Sequence, residues 1–272
     1  IPFNLGLCLL NTGNNIDAID AFKIAIQLDE SFTPAWGNIG TALMNEGRHQ
    51  EALPPTQKVL ALAPDNPDAH MNLGQIYKEF GQLDQALTST LKSLELKPDH
   101  PDAHMNLGGI YKELGQLDQA LAATLKSLEL KPDNPTAHMN LAGIYKDLGQ
   151  LDHALAATLK SLELKPDNPN ALMNLGGIYK DLGQLDQALT STLKSLELKP
   201  DNPNALMNLG GIYKDLGQLD QALTSTLKSL ELKPDNPNAL NNLKAFIDQL
   251  TLSTSNAQSL TKAYELLINL DN

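Results

Sequence analysis

Three histidines, His70, His104 and His138, recur at intervals of 34 residues and are the first candidates for chemistry in this sequence. Imidazole is a common ligand of zinc, and a zinc ion holds its ligand nitrogens at about 2.0–2.1 Å. If the histidines occupy the same position on successive parallel helices, neighbouring rings are on the order of 10 Å apart, as helix packing distances imply. One metal ion cannot bridge that distance, so we predict that the histidines pack between helices and bind no metal.

Asparagines recur at the same interval, and their row continues into segments where the rest of the sequence diverges. A carboxamide has a donor and an acceptor, so it can bind both the N–H and the C=O of an extended peptide. A row of carboxamides would hold a peptide backbone without reading its sequence; the alternative is that they support packing between neighbouring helices. The asparagine row comprises Asn4, Asn38, Asn72, Asn106, Asn140, Asn174, Asn208 and Asn242.

No constellation in the sequence predicts catalysis. Hydroxyl groups recur, as at Thr88, Ser89 and Thr90, but no His–Asp pair is placed to activate them. The Leu-Gly-Gly sequences fall inside a predicted helix rather than between a strand and a helix, so they do not predict a phosphate-binding loop. We therefore expect a protein that is not an enzyme and that carries no cofactor.

These rows arise from a repeat of 34 residues. Residues 169–202 and 203–236 are identical, and the three preceding segments differ from them at only a few positions. A period of this length predicts a solenoid of helix pairs, because each pair can bury its apolar face only against its neighbours. We predict one domain over residues 1–272 with eight repeats, at about 1–32, 33–66, 67–100, 101–134, 135–168, 169–202, 203–236 and 237–272.

The fourth repeat shows the expected helix boundaries. Pro101 suits a first helical turn and Gly115 suits a C-terminal cap, so a first helix is predicted over 101–114. A second helix is predicted from about 118 to 130, where Pro132 prevents its continuation. Gly108 and Ala120 are small where the two helices should meet. The predicted apolar stripe of the second helix is Leu117, Ala120, Leu121, Leu125, Leu128 and Leu130.

The pattern N-L-G-x-x-Y, followed by Gly, Ala and Pro, resembles the tetratricopeptide repeat (TPR) over essentially the whole chain. The divergent second repeat carries the same pattern in Trp36, Asn38, Gly40, Gly47, Ala52 and Pro64. The three histidines, and Leu172, Leu206 and Leu240 in later repeats, occupy the position of the family's tryptophan. The resemblance implies an all-α, right-handed solenoid whose first helices line a concave face that binds proteins or peptides.

Helical spacing places further rows beside the asparagines on that face, including Asp68 and Lys78 in the third repeat. Methionines suit adaptable contacts, although a packing role is the alternative. Gly109, Gly143 and Gly177 could leave floor space for a ligand backbone. The asparagine row is similar to that in the superhelix of the O-linked N-acetylglucosamine transferase. We predict a peptide-binding groove containing Asn38, Asn72, Asn106, Asn140, Asn174, Asn208, Met105, Met139, Met173, Lys112, Lys146 and Lys180.

The charge balance bears on the class of partner. Acidic residues number 32 against 20 lysines and arginines, a formal net charge of −12. This excess argues against nucleic acid and against anionic membranes as partners, and no apolar run is long enough to span a bilayer. The single cysteine, Cys8, excludes an internal disulfide and fits a cytoplasmic location.

Both ends of the sequence are strongly apolar, with Leu5 and Leu9 near the start and Leu267 and Leu270 near the end. Terminal repeats normally present a polar outer face, so we expect a fragment of a longer protein or ends that contact other protein, including head-to-tail self-association. The predicted function is a scaffold that binds an extended protein segment in its groove. Two alternatives remain: a substrate-presenting arm of a larger glycosyltransferase or sulfotransferase, and a module for end-to-end assembly.

Overall fold

The computed structural model describes the backbone of residues 1–250 and the side chains of residues 1–246. The second helix predicted for the eighth repeat, about 257–270, lies outside the described residues. Over the described range the secondary structure is entirely helical. The helices are α1 (Pro2–Asn11), α2 (Asn15–Leu28), α3 (Thr33–Asn45), α4 (His49–Leu62), α5 (Pro67–Glu79), α6 (Leu83–Leu96), α7 (Pro101–Glu113), α8 (Leu117–Leu130), α9 (Pro135–Asp147), α10 (Leu151–Leu164), α11 (Pro169–Asp181), α12 (Leu185–Leu198), α13 (Pro203–Asp215), α14 (Leu219–Leu232) and α15 (Pro237–Leu250).

Local sequence explains where the helices start and stop. The side chain of Asn168 accepts hydrogen bonds from the backbone N–H groups of Asn170 and Ala171, and so caps the N-terminus of α11. Gly115 has a φ of +72°, a left-handed conformation that favours glycine. The resulting turn lets the N–H of Gln116 donate to a carbonyl at the end of α7. The bounds of α7 and α8 therefore agree with the predicted ones to within a residue.

The described residues form two compact units, one of residues 1–144 and one that begins at residue 145. In the first unit, α5 packs against its pair partner α6 and against the first helices of the adjoining repeats, α3 and α7, while α6 also contacts α7. In the second unit, α13 packs in the same way against α11, α12, α14 and α15. Within each unit these helices thus pack on their pair partner and on the adjoining repeats, and the predicted all-α solenoid class is confirmed.

Small residues separate the two helices of a pair. Gly108 lies so close to Thr124 that a Cβ atom at Gly108 would overlap the threonine hydroxyl. The second helix buries Ala120, Thr124 and Ser127, whereas Leu125 is 44% exposed. The predicted leucine stripe is therefore wrong for Leu125. A face of small side chains lets the two helices approach closely, and a leucine there would push them apart.

The glycine at the helix crossing yields a first prediction. Replacing Gly108 by alanine is expected to raise the free energy of unfolding by about 1 kcal/mol, the penalty that a glycine carries in a helix interior. The Thr124 hydroxyl, which has no hydrogen-bond partner, must rotate, and the two helices must separate slightly, because the added Cβ would lie 3.2 Å from the Ala120 carbonyl oxygen and 3.3 Å from the Thr124 nitrogen. Thr56 already shows the required arrangement, because its hydroxyl donates to the carbonyl of Ala52 at 2.8 Å. The fifth repeat carries Ala142 at the equivalent position.

Chemical denaturation of the Gly108→Ala variant measures this effect, and the reverse substitution Ala142→Gly is the matched control. The control is expected to lose about the same free energy of unfolding. A destabilised Gly108→Ala variant would show that the threonine cannot rotate out of the way.

Candidate functional site

A cavity of about 570 Å³ opens along the first helices of the second, third and fourth repeats, α3, α5 and α7. We call it the N-terminal groove. It lies within the first compact unit, and it brings together Asn38 and Asn72 of the predicted site. Its polar lining includes Asn38, Asn66, Asp68, Asn72, His100 and Asp102, and its apolar lining includes Pro34, Gly37, Val59, Ala69 and Met71.

The amide of Asn38 has a fixed orientation in this groove. Its Nδ2 donates a hydrogen bond to the carbonyl of Pro34, one helical turn earlier, at 2.8 Å. Because a carbonyl can only accept, the nitrogen must face Pro34, and the Oδ1 atom is left for another partner. Asn38 is half-buried, so its remaining acceptor lies at the groove surface.

The next two asparagines are oriented in the same sense. The Thr41 hydroxyl donates to the carbonyl of Gly37 at 3.1 Å, so its oxygen must accept from Asn72 Nδ2, 3.5 Å away. The Nδ2 of Asn106 donates to the carbonyl of Met71 at 3.5 Å. The sequence led us to expect a donor and an acceptor at each asparagine. In this unit each amide uses one N–H within the protein, and its Oδ1 acceptor makes no hydrogen bond to the described residues.

These contacts also join neighbouring repeats, which is the packing role left open by the sequence. Asn72 and Asn106 are only 9% and 7% exposed. Their long hydrogen bonds reach Thr41 and Met71 in the preceding repeat. A packing role for the nitrogen and a binding role for the oxygen are compatible, because they use different atoms of one amide.

Two carboxylates line the same groove. Asp68 and Asp102 lie in the first turns of α5 and α7. Asp68 Oδ1 is 2.9 Å from Nε2 of His100, a residue that is only 4% exposed. The described lining contains no lysine and no arginine. The groove surface is therefore rich in hydrogen-bond acceptors and negative in charge.

The three candidate metal-binding histidines lie elsewhere and act in packing. The Nε2 atoms of His70, His104 and His138 lie 2.8, 2.8 and 2.9 Å from backbone carbonyls six residues earlier. Trp36 makes the equivalent contact in the second repeat, where its Nε1 donates to the carbonyl of Glu30 at 2.9 Å. The histidine ring thus replaces the tryptophan ring and keeps its hydrogen bond. Among residues 1–246, no cluster of three His, Cys, Asp or Glu side chains is placed to hold a metal ion.

The predicted lysines pair across neighbouring repeats. A second cavity, of about 290 Å³, lies in the second unit and is lined in part by Lys146, Lys180 and Asn208. Lys146 Nζ is 2.9 Å from Asp181 Oδ2 in the following repeat, and Lys180 Nζ is 3.4 Å from Asp215 Oδ2. These ion pairs connect each lysine to the repeat that follows it.

The glycines Gly109, Gly143, Gly177 and Gly211, in the fourth to seventh repeats, each lie beside a lysine of the preceding repeat. A Cβ atom at Gly177 would lie 3.4 Å from Lys146 Nζ, and one at Gly143 would lie 2.9 Å from Lys112 Nζ. We expected these glycines to leave floor space for a ligand backbone. The structure instead fills that space with a lysine side chain of the preceding repeat.

The methionines are half-buried and are contacted by helix-capping asparagines. Asn134 Nδ2 lies 3.7 Å from Met105 Sδ, and Asn202 Nδ2 lies 3.8 Å from Met173 Sδ. Three further predicted groove residues, Met139, Asn140 and Asn174, are also half-buried on the first helices. The side chains of this face are therefore partly ordered by contacts between repeats.

An exposed pair outside the grooves, Arg48 and Glu51, has perturbed pKa values. Their side chains are hydrogen-bonded at 2.6 and 2.7 Å. The hydrogen bond to Glu51 raises the pKa of Arg48, and the hydrogen bond from Arg48 lowers the pKa of Glu51. The pair lies at the start of α4, so it supports that helix end rather than the groove.

Sequence reasoning missed Gly37, Val59, His100 and Asp102 as groove residues. Asp102 occupies the same repeat position as Asp68, which had been placed on the groove face. The repeat position that Asp102 shares with Asp68 could therefore have predicted it. Later repeats carry Asn170 and other uncharged residues at this position, so the acids do not form a continuous row.

Comparisons with protein families identify the repeat. Models of the tetratricopeptide repeat match residues 43–89 and 203–236, and a TPR repeat model matches 74–115, 108–148, 142–183 and 176–216. The latter matches alone run over more than half of the 272 residues. The chain belongs to the tetratricopeptide repeat family. A comparison with curated proteins finds no match to this sequence.

Solved structures share this TPR fold at low sequence identity. The chain is similar to a chain of the APC/C hetero-tetramer Cut9–Hcn1, with a TM-score of 0.81 and 18% identity over 89% of this chain and 48% of that chain. It is similar to PilF of Pseudomonas aeruginosa, with a TM-score of 0.65 and 20% identity over 80% of this chain and 98% of that chain. YrrB, described as a TPR protein with an unusual peptide-binding site, has a TM-score of 0.52 and 23% identity over 70% and 97% of the two chains.

These likenesses establish the fold alone, and the chain spans about half the length of the Cut9–Hcn1 chain that it matches. A separate property concerns membranes. Within the described part of the chain, the helices are too short or too polar to cross a bilayer.

Proposed function

We propose that this TPR protein is an interaction scaffold that binds an extended segment of a partner protein along its first helices. The observation that carries the proposal is the N-terminal groove, where the amide orientations of Asn38 and Asn72 leave two Oδ1 acceptors along one cavity. Asn106, on the next first helix, is oriented in the same way. The function proposed is binding rather than catalysis.

The spacing of the acceptors suits an extended backbone. Adjacent packed helices are about 8–10 Å apart, and an extended chain advances about 3.3–3.6 Å per residue. Successive asparagines would therefore meet about every second or third residue of a bound segment, and each can accept one backbone N–H. This arrangement would bind the backbone of a peptide with little dependence on its side chains, which is the role predicted from the sequence for the whole asparagine row.

End-to-end assembly is the second candidate, and the first repeat favours it. Leu5 is 55% exposed and Ile16 is 60% exposed, so an apolar surface remains on that repeat. The apolar segment predicted to face it, around Leu267, lies outside the described residues. The role as an arm of a glycosyltransferase or sulfotransferase and the cytoplasmic location remain predictions from the sequence.

Removing the acceptors tests the groove. Substitution of Asn38, Asn72 and Asn106 by alanine is expected to weaken peptide binding at least about tenfold, because each net hydrogen bond contributes about 0.5–1.5 kcal/mol. The probe is a pool of random eleven-residue peptides, and the measurement is the amount retained on immobilised protein.

The matched control replaces the exposed glutamines Gln50, Gln85 and Gln119, one in each of the same repeats, by alanine. It removes three amides from the second helices and should bind normally. Both variants are checked for helix content and thermal melting, and sedimentation of the free protein reports on self-association. Normal binding by the asparagine variant would show that the row serves packing alone, and so would its unfolding.

A further inference from the structure

We propose that the N-terminal groove prefers segments that place a lysine or arginine side chain between Asp68 and Asp102. This inference rests on the peptide binding proposed above and adds to it a chemical preference. It follows from the hydrogen-bonding character of the groove, from its charge and from the repeats in which its acids occur.

The N-terminal groove contains hydrogen-bond acceptors that the protein itself does not use. Asn38 and Asn72 have committed their nitrogens to Pro34 and Thr41, and no hydrogen bond to the Oδ1 of either is found among the described residues. Asn72 lines the cavity, and its oxygen can accept a hydrogen bond from a ligand there. The ligand that best complements these acceptors is a hydrogen-bond donor.

The N-terminal groove is also negatively charged. Asp68 and Asp102 line the cavity without a lysine or arginine in its described lining. His100, 4% exposed, lies with Nε2 2.9 Å from Asp68 Oδ1, and its Nδ1 has no partner. The contact positions the Asp68 carboxylate, whose side chain is otherwise 68% exposed. A lysine or arginine side chain supplies several N–H donors and a positive charge, and both match this surface.

Stabilisation of a helix N-terminus is the alternative role for Asp68 and Asp102. An acid in the first turn favours a helix through its dipole, which could by itself explain Asp68 and Asp102. The equivalent residues of the sixth and seventh repeats are Asn170 and Asn204. The helices that carry them, α11 and α13, have the same length of 13 residues as α5 and α7. These helices form without the acid, so its presence beside the cavity fits a contact with the ligand.

The test uses the whole chain and four pools of eleven-residue peptides, which are random except for a central lysine, arginine, glutamine or glutamate. The lysine and arginine pools are expected to be retained about three- to tenfold more than the glutamine pool, which is the range that two exposed ion pairs can supply. The preference should shrink as NaCl is raised, because salt screens exposed charges. The glutamate pool should be retained least.

The variant Asp68→Asn with Asp102→Asn should lose this preference while still binding the glutamine pool. The control, Asp84→Asn with Asp118→Asn, removes the same charge from the first turns of the second helices in the same repeats. It should keep the preference. If the parent protein retains all four pools equally, the preference for a cationic side chain is overturned. The preference is also overturned if the control variant loses it as the groove variant does. Retention of none of the pools would instead overturn peptide binding itself.

Discussion

Replacing Ile110 by alanine is expected to lower the free energy of unfolding by about 2–5 kcal/mol, the range observed when a large aliphatic side chain is deleted from a packed core. Ile110 is 0% exposed, and so is its counterpart Ile76 in the preceding repeat. Its helix, α7, packs against α8 of the same repeat and against α5 and α6 of the preceding one. Alanine would leave a cavity there that close-packed helices can fill only in part.

Leu125→Ala is the matched control, because it truncates an aliphatic side chain of the same size in the same repeat. Leu125 is 44% exposed, so the loss should stay below about 1 kcal/mol. Chemical denaturation gives both values. Hydrogen exchange should show that the loss at Ile110 is largest in α7 and its contacting helices, since a repeat contacts only its neighbours. Equal losses for the two variants would contradict the described core.

The sequence was sufficient for the fold because the repeat ties each local signal to its neighbours. Gly115 alone predicts only a helix end, but its recurrence every 34 residues predicts helix pairs of fixed length. Ile110 alone predicts only burial, but the same recurrence predicts a buried isoleucine at the equivalent position of neighbouring repeats, as at Ile76 and Ile144. Where the spacing of residue types decides the outcome, as at these positions, prediction from the sequence succeeded.

Prediction was weaker where neighbouring side chains decide the outcome. The orientation of the Asn72 amide depends on Thr41, whose own proton is used by Gly37 in the preceding repeat. The space at Gly177 depends on the path of Lys146 toward Asp181. Residue type and helical spacing place these side chains on the correct face. They do not determine which atom of a side chain stays available to a ligand.

The role of an asparagine at a repeat boundary also depends on its neighbours and not on residue type alone. Asn134 caps α9 with its oxygen and contacts Met105 with its nitrogen, so both ends of one amide are used within the protein. Asn72 uses only its nitrogen internally. The two asparagines are alike in residue type, and only the arrangement of their neighbours separates a structural amide from a candidate binding amide.

Filling the N-terminal groove should abolish peptide binding without unfolding the protein. Gly37 lines the cavity within α3, and a Cβ atom built on it meets only Val59 Cγ2, at the ordinary contact distance of 3.8 Å. The backbone of Gly37 therefore accepts a Cβ atom, and we expect the ring of a phenylalanine at this position to occupy the cavity that Gly37 lines. The substitution also removes the helix penalty of glycine, so the free energy of unfolding should be unchanged or slightly higher.

We expect Gly37→Phe to reduce retention of all four peptide pools to the level of resin without protein, because the ring takes the volume that a bound backbone needs. The asparagine variant, by contrast, removes hydrogen bonds but leaves the cavity open, so some peptide should still be retained on it. The control Gln119→Phe adds the same ring to an exposed position of α8 and should bind normally. If Gly37→Phe folds and still retains the peptides, the binding surface lies elsewhere on the first helices, and the second cavity around Asn208 becomes the site to block next.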